Sequence, residues 1–198
     1  MMEFVYAYAY FVLYAFLGWV CEDLYCGIPA KKFINRGFFY GPYCPIYGVG
    51  ALLVLYPLLF VKDYPILVFV LGVIITSTLE YITSWVMEIL FKTRWWDYSE
   101  RFMNINGRVC LLNSTLFGIM SIVVVYIIHP VIQDIVMDIP FTALMSFLSA
   151  FTIGFGIDCV FTVLALLRRK QVFQKVQVQM EAFKKDFEAV KGISITIS

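Results

Sequence analysis

Apolar residues fill five long stretches of the chain, and short polar or proline-containing segments separate these stretches. A helix needs about 20 mostly apolar residues to cross the hydrocarbon core of a bilayer. The five stretches come near or above this length, so the pattern predicts an all-α, polytopic transmembrane helix bundle. The predicted spans lie near residues 3–23, 44–61, 65–90, 109–129 and 141–167.

Prolines set several of the predicted boundaries, because a helix usually ends at or before the residue that precedes a proline. Pro45 comes before the second span, and Pro65 separates the second span from the third. His129, Pro130 and Pro140 bracket the predicted loop between the fourth span and the fifth.

Basic residues lie almost entirely on one side of the predicted bundle. Of the 15 lysines and arginines, all but Lys62 fall in the loops after spans one and three or in the C-terminal tail. Because cytoplasmic segments carry the excess of basic residues, we expect the N-terminus outside and the C-terminus in the cytoplasm. The same asymmetry predicts a multi-pass protein of the cell membrane with an odd number of spans.

The tail, residues 169–198, differs from the predicted bundle of residues 1–168 because apolar residues recur in it at spacings of three and four. This heptad pattern predicts an amphipathic helix. Two interpretations stay open: a helix that lies on the inner leaflet or on its own bundle, and a helix that associates with a partner or a second copy. The seam consists of Phe173, Val176, Met180, Phe183, Phe187 and Val190.

Two segments of the chain resemble each other. Residues 18–25 align with residues 84–91, with Trp, Val, Glu and Leu identical in both, and each segment is followed by a basic, aromatic loop. Each loop then reaches a cysteine, Cys44 or Cys110, near the start of the next helix. We therefore predict a parallel internal repeat of two helical hairpins, with the fifth span outside it.

Polar side chains within the apolar spans are the candidate functional residues, because charged groups there are costly and usually face the interior of the bundle. Glu80 and Asp158 fall deepest, and the others lie toward the predicted cytoplasmic end. We expect them to line a polar chamber that opens to the cytoplasm and binds a substrate or an ion. In the alternative interpretation, Glu22, Glu88, Arg36 and Arg108 form structural ion pairs between loops and helix ends. The candidates are Glu80, Asp158, Glu22, Glu88, Arg36, Arg108, Asn113 and Asn35.

Two loop segments are rich in aromatic residues. Residues 35–48 hold several glycines and prolines, which make a poor helix, so part of this loop is expected to re-enter the membrane or to form a packed aromatic plug. Residues 94–99 contain two tryptophans and a tyrosine, residues that anchor proteins at the membrane interface. In the alternative interpretation, this second segment contributes residues to a cytoplasmic site.

The composition excludes several classes of protein. Apolar residues make up 62% of the chain and charged residues 15%, which excludes a soluble enzyme. The net charge of +1 gives no basis for binding nucleic acid. A single histidine, His129, and five cysteines without a CxxC pair indicate neither a metal site nor a disulfide framework, and no cofactor is expected.

The segments GWVCE, NRGFFYGPYCPIYG, WVMEILF with WWDYS, and NINGRVCLLNS together resemble the CmpB family of small bacterial membrane proteins. The similarity extends over roughly residues 4–165, and the NRGF–GPYCPIYG segment is quite specific. The resemblance implies a type IV ABC-transporter permease. It implies no catalytic or ligand-binding residues.

Three functions are compatible with these features. The first is a permease-like subunit that transports a small solute, the second a membrane-embedded enzyme or binder of lipid headgroups, and the third a structural or regulatory scaffold. The chain has no G-x-x-x-x-G-K-[ST] phosphate loop, so a permease would need an ATPase partner or companion subunit. Five spans are few for a complete path, which also suggests a homo-oligomer in the lipid bilayer.

Overall fold

The structure, a computed structural model, describes the backbone of residues 2–31 and 38–195. Side chains are described within these ranges, apart from residues 26, 29, 30 and 169–195. The prediction of an all-α fold is confirmed, and the described residues add one short hairpin of two antiparallel strands. The elements are α1 Met2–Ala30, α2 Pro45–Leu58 with a 3₁₀ turn Leu59–Val61, α3 Pro65–Phe91, β1 Asn104–Ile105, β2 Val109–Cys110, α4 Leu111–Val123, a π turn Val124–Ile128, α5 His129–Asp138 and α6 Phe141–Ile195.

Among the described residues, four helical stretches are long and apolar enough to cross a membrane, and the helix at the second predicted span is shorter. At about 1.5 Å per residue, this shorter helix, Pro45–Val61, reaches less than the roughly 30 Å of a hydrocarbon core. The four long stretches are Met2–Tyr25, Pro65–Phe91, Leu111–Asp138 and Phe141–Arg168.

The helical stretch at the fourth predicted span continues past its predicted end at residue 129 and reaches Asp138. A proline inside a regular α-helix clashes with the preceding turn, which is why the sequence favours an end before Pro130. In the structure, the wider π turn Val124–Ile128 comes first, and Pro130 lies in the first turn of α5. Proline is well tolerated in the first turn of a helix.

Close packing of α1 against α2 depends on Gly48, in the first turns of α2. A Cβ atom added to Gly48 would lie 2.6 Å from the backbone oxygen of Phe11 in α1. The backbone of α1 cannot move away without disturbing the core around Val12 and Leu55, both of which are buried.

We therefore expect Gly48→Ala to lower the free energy of unfolding by about 1–3 kcal/mol, the usual effect of overpacking. Thermal unfolding in detergent, followed by circular dichroism, measures the change. Gly154→Ala in α6 is the matched control, because nothing lies within 4 Å of the added atom. Equal losses of stability in the two variants would contradict this account of the α1–α2 contact.

The chain divides into two compact units, Met1–Cys159 and Val160–Ser198. The first unit contains a core formed by α1, α2, α3, the π turn, α5 and the first turns of α6. The second unit contains the rest of α6, which continues to Ile195. The predicted heptad seam of the tail lies among side chains that the structure does not describe, so it stays a prediction.

Candidate functional site

Two loops return along the helices that precede them. In the first loop, of which the structure describes residues 38–44, the backbone N–H of Cys44 donates to the backbone oxygen of Ala15, at 2.8 Å. Ala15 lies near the middle of the apolar stretch Met2–Tyr25, so α2 starts opposite the middle of α1. Cys44 is the extended residue immediately before α2, and Pro45 occupies the first turn. The fixed φ of proline suits this position.

The second loop, residues 92–110, returns along the last three turns of α3. Lys92 ends α3 in a left-handed conformation, with φ 57°, and this turns the chain back on itself. The side-chain contacts that follow progress from the end of α3 toward its interior. They join Arg94 to Glu88 at 3.1 Å, Arg108 to Ser84 at 3.3 Å, Asn106 to Tyr81 at 2.9 Å and Tyr98 to Glu80 at 3.1 Å.

A glycine and an acidic turn give this loop its shape. Gly107 has φ +69°, and an added Cβ atom would lie 2.6 Å from Oδ1 of Asp97. The backbone oxygen of Gly107 accepts a bond from the N–H of Tyr98 at 2.8 Å. The hydroxyl and the backbone N–H of Ser99 donate to Asp97 and lower the pKa of its carboxyl group. These contacts hold Tyr98 in a fixed direction.

Tyr98 links Glu80 of α3 to Asn113 of α4, and we call these three residues the Glu80 cluster. The Tyr98 hydroxyl donates to Oε1 of Glu80 at 3.1 Å and accepts a bond from Nδ2 of Asn113 at 2.5 Å. Glu80 is only 6% exposed. Its second oxygen, Oε2, is buried and has no hydrogen-bond partner among the described residues. Tyr98 therefore holds the carboxylate of Glu80 in one orientation through Oε1 alone.

The electrostatic surroundings of Tyr98 show which charges lie near the cluster. Burial is the first cause that raises the pKa of Tyr98, followed by the negative charge of Glu80 and the hydrogen bond to it. The more distant charge of Glu22, on α1, acts in the same direction. Tyr98 therefore stays protonated at neutral pH and can donate. The carboxylate of Glu22 accepts a bond from the Tyr47 hydroxyl of α2 at 2.7 Å.

Glu88 holds two arginines at the end of α3. Nη2 of Arg108 lies 2.6 Å from one of its oxygens, and Nε of Arg94 lies 3.1 Å from the other. Arg108 also donates to Ser84, and its guanidinium group lies 5.6 Å from the centre of the Tyr81 ring. This ion-pair network fits the structural interpretation of Glu88 and Arg108, because it joins the loop to the helix end.

Asp158 of α6 contacts the turn that precedes α2. Its carboxylate accepts bonds from the backbone N–H of Gly41 at 2.8 Å and of Tyr40 at 3.2 Å, and from the Tyr43 hydroxyl. The rings of Phe39 and Tyr43 pack against Phe155, one turn before Asp158 in α6. Asp158 thus fastens the first loop to α6.

The structure places the candidate residues in four groups. Glu80 and Asn113 meet through Tyr98, Glu88 pairs with Arg108, Glu22 contacts Tyr47, and Asp158 contacts the first loop. Asn35 and Arg36 lie outside the described residues. No set of three histidine, cysteine or acidic residues among the described positions could hold a metal ion.

Sequence reasoning missed the tyrosines that complete these groups. Tyr98 belongs to the tryptophan-rich segment that the sequence favours as a membrane-interface anchor, and its contact with Glu80 depends on the return of the loop. Tyr43 and Tyr47 belong to the aromatic loop and its following helix. No local sequence signal marks these contacts, because each tyrosine meets its acidic partner 18 or more residues away along the chain.

Comparison with known proteins identifies a family. Residues 9–163 match the family model described as "Putative ABC-transporter type IV". No curated protein and no solved structure matches the chain. The matched region contains the whole Glu80 cluster and most of the apolar helices. Because it covers well over half of the chain, the chain belongs to this family, the CmpB family, and is a membrane protein related to transport.

Proposed function

We propose that the chain is a permease-like subunit that carries a small solute through a polar chamber in the cytoplasmic half of the membrane. A partner such as an ATPase, a companion membrane subunit or a second copy of the chain completes the path. The observation that carries the proposal is the surroundings of Glu80, a buried carboxylate within an apolar span. One of its oxygens accepts a hydrogen bond from Tyr98, and the other has no partner among the described residues. Charged groups at such depth usually mark a path for ions or substrates.

The proposed orientation has the N-terminus outside and the tail in the cytoplasm, as the distribution of basic residues predicts. In this orientation, α2 forms the second of five crossings together with the loop before it, because the helix alone is short. The contact of Cys44 with Ala15 supports this arrangement. Irregular backbone at that depth is tolerated where protein covers it or where it lines a cavity.

The proposed parallel repeat has a constant register. Gly18 and Ser84 are 66 residues apart, and so are Cys44 and Cys110. Each of these cysteines is the extended residue before a helix, α2 or α4. Two hairpins with the same structure would place two junctions between a loop and a helix, at Cys44 and Cys110, inside the bundle. Transporters use interrupted helices of repeated units in this way to build a binding site.

The pairing of Arg108 favours transport over the alternative of a headgroup-binding site. A site for an anionic headgroup would need a cation such as Arg108, but the guanidinium group of Arg108 lies 2.6 Å from Glu88. An anionic headgroup would have to displace this carboxylate. The carboxylate of Glu80, in contrast, has no ion pair among the described residues that a ligand would have to displace.

The function is tested with membrane vesicles from cells that make the chain, prepared in both orientations. The vesicles are incubated with the small-molecule fraction of a cell extract, with and without ATP, and their contents are identified by mass spectrometry. We expect at least one solute to accumulate in an ATP-dependent manner in one orientation. Vesicles that lack the chain are the control, and identical contents in both preparations would contradict the proposal.

A further inference from the structure

The hydrogen bonds of the Glu80 cluster run in one direction, from Asn113 through Tyr98 to Glu80. The amide of Asn113 donates to Tyr98, and the hydroxyl of Tyr98 donates to Oε1 of Glu80. These two hydrogen bonds hold the carboxylate through Oε1, and Oε2 has no hydrogen-bond partner among the described residues. Oδ1 of Asn113 takes no part in the bond to Tyr98. The cluster therefore presents acceptors, and it uses its own donors internally.

Negative charge in the cluster exceeds the positive charge that the described residues supply. Among the described residues, Glu80 forms no ion pair, and its second oxygen has no hydrogen-bond partner. Arg108 contacts Ser84, which lies one turn beyond Glu80 in α3. The guanidinium group of Arg108 is, however, already paired with the carboxylate of Glu88, at 2.6 Å. An anionic ligand would be repelled here, whereas a cationic ligand would be attracted.

The number of acceptors indicates a single positive charge. A calcium ion takes six to eight oxygen ligands, often from several carboxylates. Within the described residues, no three acidic, histidine or cysteine side chains come together in this way. One buried carboxylate oxygen without a partner among the described residues suits a ligand with a single positive charge.

We propose that the Glu80 cluster binds a ligand with a single positive charge, either an alkali metal ion or a protonated amine, at Oε2 of Glu80. The inference rests on the proposed function, since it gives the charge of the transported solute or of an ion that moves with it. It also gives Tyr98 a role as a positioning residue, which orients the carboxylate without binding the ligand.

Thermal unfolding of the purified full chain in detergent tests the proposal. Sodium, potassium and methylammonium chloride are compared with N-methyl-D-glucamine chloride, whose cation is too bulky for the cluster, at equal ionic strength. A ligand at ten times its Kd should raise Tm by about 3–6 °C. We expect such a rise with at least one of the three small cations. Sodium or potassium as the only effective salts would indicate an alkali ion, and methylammonium alone would indicate an amine.

Glu80→Gln keeps an oxygen for Tyr98 but removes the charge, so it should abolish the rise in Tm. Glu100→Gln, at an exposed position in the same loop, is the control and should keep the rise. If Glu80→Gln does not fold, infrared difference spectra of the unmodified protein provide a second test. Exchange of N-methyl-D-glucamine for the effective cation should shift a carboxylate band.

The proposal is overturned if no small cation raises Tm and no carboxylate band shifts, the result expected if a proton or a water molecule completes the site. It is also overturned if Glu80→Gln folds and keeps the full rise. Neither result affects the uptake experiment with vesicles. Solute uptake without any effect of cations on Tm would leave the proposed function in place. It would contradict only the inference that the ligand carries a positive charge.

Discussion

Replacing Glu80 with glutamine is expected to reduce solute uptake about 10–100-fold, with little change in folding. Glutamine keeps an oxygen that can accept the Tyr98 hydroxyl, so the link between α3 and the loop survives. It loses the negative charge at the position of Oε2, which has no partner among the described residues. A contact to a charged group contributes about 1.5–3 kcal/mol, which corresponds to this range of fold-changes.

Initial rates of uptake into vesicles, for the solute identified with the unmodified chain, measure the effect. Glu100→Gln is the matched control and should transport normally, because Glu100 is exposed. Equal protein levels in the membrane must accompany the comparison. Normal uptake by Glu80→Gln would show that the buried carboxylate has a structural role only.

Asp158→Ala is expected to lower the free energy of unfolding by about 2–4 kcal/mol. The substitution removes the acceptor of two backbone N–H groups and the Tyr43 hydroxyl, and bonds to charged groups are stronger than neutral ones. Asp158→Asn keeps one carbonyl oxygen and should lose about half as much. Tyr43 is buried, so its hydroxyl would be left without this partner in the alanine variant.

Denaturation of the variants in detergent measures these differences, and Asp134→Ala, at an exposed site on α5, is the control. A double-mutant cycle with Tyr43→Phe isolates the shared contact. The two losses should add to more than the loss in the double variant, because both single substitutions remove the same bond. A change of less than 0.5 kcal/mol for Asp158→Ala, typical of surface positions, would show that Asp158 does not fasten the loop.

The all-α fold and the polar positions inside the helices could be predicted because both depend on the free energy of placing each residue in the membrane, which the local sequence determines. An acid at position 80 of an apolar helix is expensive in any bundle, so Glu80 and Asn113 were identifiable without a structure. The same reasoning grouped Asp158 with Glu80, yet it gives no information on which neighbour each residue meets. In the structure, Asp158 contacts the turn at Gly41 and Tyr43.

The return of the loops and the length of the helical stretch Leu111–Asp138 depend on backbone conformations. The sequence gives little indication of these conformations. Lys92 and Met103 adopt positive φ although neither is glycine or asparagine, so no sequence signal marks the turns they make. Tyr98 reaches Glu80 only because these turns bring the loop back along α3. Pro130 likewise indicates a helix end, and only the π turn before it lets the helix continue.

A double-mutant cycle of Glu80→Gln and Tyr98→Phe on solute uptake tests most directly whether the two residues form one transport site. Tyr98→Phe removes the hydroxyl that holds Glu80 and should reduce uptake in the unmodified background. In the Glu80→Gln background the same substitution should have little further effect, because the carboxylate it orients is already gone. Independent, multiplicative losses from the two substitutions, or full uptake by Glu80→Gln, would contradict a shared role in transport.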